Sequence, residues 1–312
     1  MLRVVYLGTP AFAVIPLEAL AHDPRFALVG VVTQPDRPVS RSGTPEAPPV
    51  KQAALRLGVP VLQPATLRDE QAVATLAALR PDVGVVAAYG EILRRNVLAI
   101  PGLGYLNIHP SLLPRWRGPT PVAGAILAGD AETGVTVMRL DAKMDSGPIL
   151  AQQRQPLAPD AHAGLLTAAL FQIGAELLRG ALVEYAAGTL TPVPQDDTQA
   201  TYTKLLSRAD GEIDWQRSAV ELERIPRAYD PWPGAFTRWR GQSLRIHAAR
   251  AQPDWHGAAL PGSLLAGGAA PLVATGAGAL ELVTVQPAGK RPMSARDWLR
   301  GQRDHDGARF GV

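Results

Sequence analysis

Short apolar runs that stop at a glycine, alternating with stretches of helical spacing, constrain this chain more than any other feature. Residues 2–7 are almost entirely apolar and end at Gly8. Residues 27–33 are the next β-rich run, residues 82–88 form another that closes at Tyr89-Gly90, and residues 105–108 follow Gly104. Runs without polar alternation belong to strands covered on both faces, as in a parallel sheet flanked by helices. The intervening segments supply those helices. Residues 12–21 are helix-compatible. Residues 67–80 follow Thr66, with Asp69 three positions on as in a capping box, and stop at Pro81. Residues 118–128 carry proline at the start and glycine at the end, the asymmetry of a helix. Residues 135–138 read as one more strand. Leu166, Leu170, Ile173, Leu177 and Ala181 then recur at helical spacing before a stop at Gly188. Strand–helix alternation predicts an α/β fold with a parallel, Rossmann-like sheet.

The pattern changes after Gly188. Residues 189–197 are rich in Pro, Thr and Asp, and beyond Thr203 long helical patterns are scarce. Glycine-punctuated β-like runs at 235–239, 243–249, 272–275 and 280–285 predict a small β-barrel instead. The expected division is therefore a first domain over 1–188, a linker over 189–206 and a second domain over 207–312. A length of 312 residues suits two domains. Residues 37–50 hold four prolines and read as a loop.

Composition removes several functional classes. Charged residues make up only 19% of the chain against 46% hydrophobic, which excludes a disordered polymer. No apolar run approaches the roughly 20 residues of a membrane span, and the start lacks a signal-peptide pattern, so a cytoplasmic protein is expected. The absence of cysteine removes disulfides, thiolate zinc sites and cysteine nucleophiles. No pair of histidines has metal-ligand spacing, and no metal is expected. A net charge of +3 is too small to imply nucleic acid. Residues 224–250, however, hold Arg224, Arg227, Arg238, Arg240, Arg245 and Arg250 against Asp230 alone. Such a cluster is either a solvated face or a surface that follows a phosphate backbone.

Chemistry concentrates at two strand ends. The first turn, Gly8-Thr9-Pro10, lacks the G-x-G-x-x-G of a dinucleotide site, which argues against a nicotinamide oxidoreductase. Asn107-Ile108-His109-Pro110-Ser111-Leu112-Leu113-Pro114 follows a strand-like run, where open α/β sheets place ligands. Alternation along an extended backbone points Asn107 and His109 the same way, so an amide donor and an imidazole would share one cleft. Asp145 lies in a loop past residues 135–138, on what would be the same sheet edge, where its carboxylate could accept a hydrogen bond from His109 and fix the tautomer. An ordinary Asx-turn before Ser146-Gly147 fits the spacing equally well.

These strings resemble the methionyl-tRNA formyltransferase family almost from end to end. Gly8-Thr9-Pro10-Ala11-Phe12-Ala13 and Gln34-Pro35-Asp36-Arg37-Pro38 match its opening. Asn107 to Gly118 and Met144-Asp145-Ser146-Gly147 match its centre. Arg227 to Ala235 and Val285 to Arg291 are similar to its C-terminal domain. The resemblance implies formyl transfer from 10-formyltetrahydrofolate, a co-substrate, to the α-amino group of methionyl initiator tRNA. It implies Asn107, His109 and Asp145 as the catalytic set. Ser111, Leu112, Leu113, Pro114, Leu140 and Asp141 become the expected folate wall, with backbone groups pairing to the pterin. It also implies an OB-like second domain that holds tRNA, with Arg41, Lys204, Arg208, Arg238, Arg240 and Arg245 as expected contacts. Neither a membrane nor an obligate protein partner is implied.

The chain departs from the family in places. The loop after Arg37 keeps Arg41 but little further positive charge before Lys51, Leu205 stands where the family has lysine, and Ala123-Gly124 replaces a Gln-Arg pair. Two other readings fit the residues less fully. A formyltransferase for a small amine leaves the second domain unexplained. An RNA-binding module with an inactive α/β domain leaves Asn107, His109 and Asp145 unexplained.

Overall fold

The computed structural model describes residues 1–38, 45–265, 270–302 and 308–311. The chain divides into two compact units. The first comprises Met1–Pro121, Glu132–Pro156 and Thr167–Thr203; the second comprises Val122–Ala131, Leu157–Leu166 and Lys204–Val312.

Among the described residues the first unit is built on a seven-stranded sheet. Its strands are β1 (Leu2–Gly8), β2 (Phe26–Val32), β5 (Val61–Leu62), β6 (Val83–Ala87), β7 (Tyr105–His109), β8 (Glu132–Arg139) and β9 (Ile149–Pro156), in the order β5-β2-β1-β6-β7-β8-β9. A small separate ribbon pairs β3 (Arg37–Pro38) with β4 (Pro45–Glu46). The strands from β5 to β7 are parallel, as the apolar runs predict. Alternate residues of β1 feed two cores. Val4 and Tyr6 join Leu17 and Leu20 of α1 (Val14–Ala21), Val50 and Ala53 of α2 (Pro49–Arg56), and Phe171, Leu178 and Leu182 of α6 (Ala163–Ala186). Val5 and Leu7 join Leu76 of α3 (Glu70–Ala78) and Val97 of α4 (Arg95–Leu98) on the opposite face. This period of two, with helices on both sides, is why the strands read as continuously apolar.

The structure corrects the sequence reading in several places. Helix α3 is capped by Asp69, whose carboxylate accepts from the amides of Gln71 and Ala72. Thr66 instead donates to Glu91. Strands β8 and β9 run antiparallel to their neighbours, so the sheet is mixed at this edge. Helix α6, at 24 residues, is long and apolar enough by composition to cross a membrane, contrary to the reading of the runs. Phe171, Leu178, Ala181 and Leu182 pack it into the first core. The stretch read as a linker belongs largely to the first unit. Val193 pairs with Ile149 at the foot of β9, and Tyr202 bridges Arg117.

The second unit is a curled antiparallel sheet, as expected of an OB-like barrel. It orders β10 (Ala235–Trp239), β11 (Gln242–Gln252), β14 (Ala279–Pro287), β13 (Leu272–Ala274) and β12 (Leu264–Leu265), with β15 (Met293–Ser294) on β14. The last described residues join its two edges. Phe310 bridges Trp239 of β10, while Arg309 bridges Ser263 beside β12. A ring cluster of Trp215, Trp239, Trp298 and Phe310 fills the interior near this seam, Trp298 coming from α8 (Ala295–Arg300). Sequence reading missed α7 (Ala219–Ala228), whose signal is a capping box of Ser218 and Glu221. The Ser218 hydroxyl and amide hold the Glu221 carboxyl down at about 2.

Candidate active site

Strand β7 sets the site because its two faces have different partners. Leu106 and Ile108 enter the first core, and Tyr105 enters the second. Asn107 and His109 therefore share the Tyr105 face at the C-terminal end of the strand, as alternation requires. Both are nearly closed to solvent, at 8% and 4% exposure. The Asn107 backbone lies between Val86 and Met138 on the two neighbouring strands. Its side-chain amide makes no hydrogen bond among the described residues. It is not among the fully buried unpaired polar atoms, so the amide is open to the space beside β7 rather than sealed in the core.

A sharp turn from Arg115 to Gly118 crosses in front of β7. Trp116 has φ +61° and Gly118 φ +106°. Glycine is required at 118: a Cβ there would sit 2.6 Å from the carbonyl oxygen of Thr203. His109 Nε2 lies 2.9 Å from the Trp116 carbonyl. A carbonyl only accepts, so Nε2 carries the hydrogen, and Nδ1 is the nitrogen left to exchange a proton.

Asp145 reaches this nitrogen by a path the sequence does not reveal. Because β8 is antiparallel to β7, Arg139 at its end stands opposite Leu106, whereas His109 stands opposite Thr136. The loop after β8 thus starts three residues short of His109, roughly 10 Å at the rise of a strand, and not at the same sheet edge as the sequence suggests. It folds back to bring Asp145 Oδ2 to 3.7 Å from His109 Nδ1. That separation is an ion-pair distance rather than the hydrogen bond expected from sequence. The same oxygen accepts the Gly118 amide at 2.8 Å. Asp145 adopts φ +49°, a left-handed conformation that non-glycine residues seldom take.

Several expected folate contacts are already engaged. The Ser111 carbonyl accepts from the Thr136 hydroxyl at 2.7 Å, and the Ser111 hydroxyl donates to the Arg115 carbonyl at 2.7 Å. Leu113 uses its amide on Thr136 Oγ1 and its carbonyl on Gln152 Nε2. The Leu112 side chain packs over Gly134, and the Pro114 carbonyl accepts from Thr201. Asp141 ties its own loop, accepting from the Lys143 amide and the Ser146 hydroxyl. The Leu140 amide donates to the Tyr105 carbonyl at 2.7 Å. These residues frame the site more than they offer free donors and acceptors.

Two residues that sequence reasoning missed hold the site together. Arg117, with a side chain 2% exposed, donates to Gln195 Oε1 at 3.0 Å, to the Tyr202 hydroxyl at 3.1 Å and to Asp197 at 2.6 Å. Burial works against its charge, but Asp197 and Tyr202 outweigh it and hold the guanidinium above its ordinary range. Gln195 in turn donates to the carbonyls of Asp145 and Gly147 at 2.9 and 2.7 Å. Arg117 stands within the family-like string, but Gln195 lies in a linker-like composition and carries no sequence signal.

The cations expected to meet tRNA fall into distinct groups. Arg224 caps the C-terminus of α5 (Pro121–Ala128) through the Leu127 and Ala128 carbonyls, and Arg227 donates to the Ala161 carbonyl. Both are half-buried. Burial holds the Arg227 guanidinium below its ordinary range. Arg245 donates to the Pro231 carbonyl, Lys204 pairs with Asp210, and Arg238 pairs with Glu212. Arg240 lies over the Trp239 ring and, like Arg208, is exposed. Arg41 lies outside the described residues.

Known proteins identify the family of this chain. A family model described as formyl transferase matches residues 2–182, and its C-terminal-domain companion matches residues 205–303. The methionyl-tRNA formyltransferase of Roseiflexus sp. (strain RS-1) is 66% identical over 99% of this chain and 95% of its own length. The chain belongs to the methionyl-tRNA formyltransferase family. The enzyme of that name from Herpetosiphon aurantiacus is 58% identical over 97% of this chain and 99% of its own. An N-formyltransferase from Helicobacter canadensis, solved with folinic acid and dTDP-3-aminofucose, shares the fold with a TM-score of 0.67. That alignment, at 16% identity, covers 92% of this chain and all 100% of the other.

Proposed function

We propose that this chain transfers a formyl group from 10-formyltetrahydrofolate to the α-amino group of methionyl initiator tRNA, with Asn107, His109 and Asp145 as the reacting site. One observation carries the assignment of residues. An unpaired, nearly buried amide and an imidazole share one face of β7, and a carboxylate stands 3.7 Å from the free ring nitrogen. An amine is already a nucleophile, so the enzyme has to stabilise charge and move protons, without forming a covalent bond of its own.

As the amine nitrogen bonds to the formyl carbon, the carbonyl electron pair moves onto oxygen. The Asn107 amide donates to that oxyanion, a role worth about 3 kcal/mol in comparable sites. The attacking nitrogen loses a proton, and the folate nitrogen needs one as its bond to the formyl carbon breaks. His109 Nδ1 is suited to take the first and supply the second. Asp145 stabilises the imidazolium between these steps, and Trp116 and Gly118 keep the ring and the carboxylate in place. Low solvent exposure of Asn107 and His109 strengthens these charge interactions.

The pterin lies, in this reading, along residues 111–114 and 140–141, with Leu140 supplying apolar contact. The barrel of the second unit is a fold suited to nucleic acid. Arg208 and Arg240 are its exposed candidate phosphate contacts, with Lys204, Arg238 and Arg245 beside pairs they already make. Acting on aminoacylated tRNA, the enzyme works in the cytoplasm.

Formyl transfer measured with charged initiator tRNA, beside a small amine such as an amino-sugar nucleotide, tests the proposal. Transfer to the tRNA is expected. Transfer only to the small amine would overturn the tRNA assignment, and tRNA binding without transfer would overturn the catalytic one.

A further inference from the structure

Residues 195–203 form a strap across the turn that holds the site. Thr201 Oγ1 accepts the Trp116 amide at 2.8 Å. The Thr201 carbonyl accepts the Arg117 amide at 2.9 Å, and the Arg117 carbonyl accepts the Thr203 amide at 2.8 Å. That turn supplies the carbonyl that fixes His109 and the amide that fixes Asp145. Gln195 extends the strap to the back of Asp145. Its Nε2 donates to the carbonyls of Asp145 and Gly147, while its Oε1 takes the Arg117 guanidinium. Asp145 is thus held by its side chain from Gly118 and by its backbone from Gln195.

This arrangement answers a specific need. The Asp145 loop doubles back from the wrong end of β7, its other side-chain ties to Asp141 lie within the loop, and Asp145 sits at φ +49°. A left-handed aspartate persists only where its surroundings over-determine it. Gly147 is buried, so its carbonyl depends on the same amide.

We propose that Gln195 is a positioning residue for formyl transfer: through the Asp145 and Gly147 carbonyls it sets Asp145 against His109 Nδ1 without touching either substrate. This inference rests on the role assigned above to Asp145.

A double-mutant cycle separates the two. Gln195→Met keeps the shape and removes both donors, along with the Oε1 acceptor for Arg117; should it fold poorly, Gln195→Asn, one methylene shorter, carries the same test. Steady-state rates with methionyl-tRNA and 10-formyltetrahydrofolate should show kcat reduced about 10- to 100-fold, the scale of a small misplacement of reacting groups. Both KM values should stay within about 2-fold, because no substrate contact is lost. In an Asp145→Asn background the same substitution should cost less than about 2-fold. Equal losses in both backgrounds, or an unchanged kcat while Asp145→Asn is impaired, would overturn the positioning role. An unimpaired Asp145→Asn would instead overturn the reading of the site beneath it.

Discussion

Replacing Asn107 by alanine isolates the proposed charge-stabilising donor more cleanly than any other change in the site. Its backbone is pinned by β6 on one side and β8 on the other, so truncation leaves the strand in place. Its side-chain amide is hydrogen-bonded to nothing among the described residues, so no internal partner is orphaned. The contact between His109 and Trp116 does not pass through it. The loss should therefore fall on the transition state alone. One oxyanion donor is worth about 3–4 kcal/mol, or roughly a 10²- to 10³-fold fall in kcat. KM should scarcely move, since the neutral formyl oxygen needs the donor far less than the oxyanion. Asn107→Asp, the same size but with an acceptor and negative charge facing the developing oxyanion, should be slower still. Transfer of radiolabelled formyl to methionyl-tRNA, with thermal melting as a check on folding, measures both. A kcat for Asn107→Ala within about 3-fold of the parent, or a raised KM with kcat intact, would refute the oxyanion role.

Other perturbations test the frame and the tRNA surface. Gly118→Ala forces a side chain into φ +106° and against the Thr203 carbonyl. It should lower kcat at least about 10-fold by shifting the amide under Asp145, and an unaffected rate would mean this amide does not matter. Asp23 is held down at about 2 first by its hydrogen bond from the Arg25 side chain. Its folded-state pKa is depressed, so its contribution to stability is present above the ordinary carboxylate range and lost as pH falls through about 2. The melting-temperature gap between the parent and Asp23→Asn should therefore shrink from about pH 4 downward; a constant gap would contradict this. Neutralising Arg238 and Arg240 together should weaken tRNA binding and reduce its log–log salt slope by up to about 2. An unchanged slope would put the tRNA on other residues.

The sequence by itself determined the elements whose evidence lies within a few residues. The parallel strands announce themselves because burial on both faces leaves no polar position. Asn107 and His109 are placed together by the two-residue period of one strand. Gly188, at φ +73°, ends α6 where the pattern stops. Where the local signal was ambiguous it misled: Thr66 and Asp69 both resemble caps, and only the geometry assigns the role to Asp69. Arg224 and Arg227 read from sequence as members of one arginine cluster, and the structure adds that each donates to a backbone carbonyl distant in sequence.

Tertiary structure alone decided the rest. The direction of β8 follows from the partner it pairs with, and that direction sends the Asp145 loop back across the sheet. The Arg117–Gln195 bond joins residues 78 apart, and the Gln195–Asp145 bond joins residues 50 apart. Closure of the barrel waits on the last described residues, which bridge β10 to the neighbourhood of β12. Periodicity records what each residue's immediate neighbours require, and so it carries the strands, the helices and the pairing of Asn107 with His109 on one face. The third member of the site, and the strap behind it, depend on the return path of the chain, which is set by contacts that no local window contains.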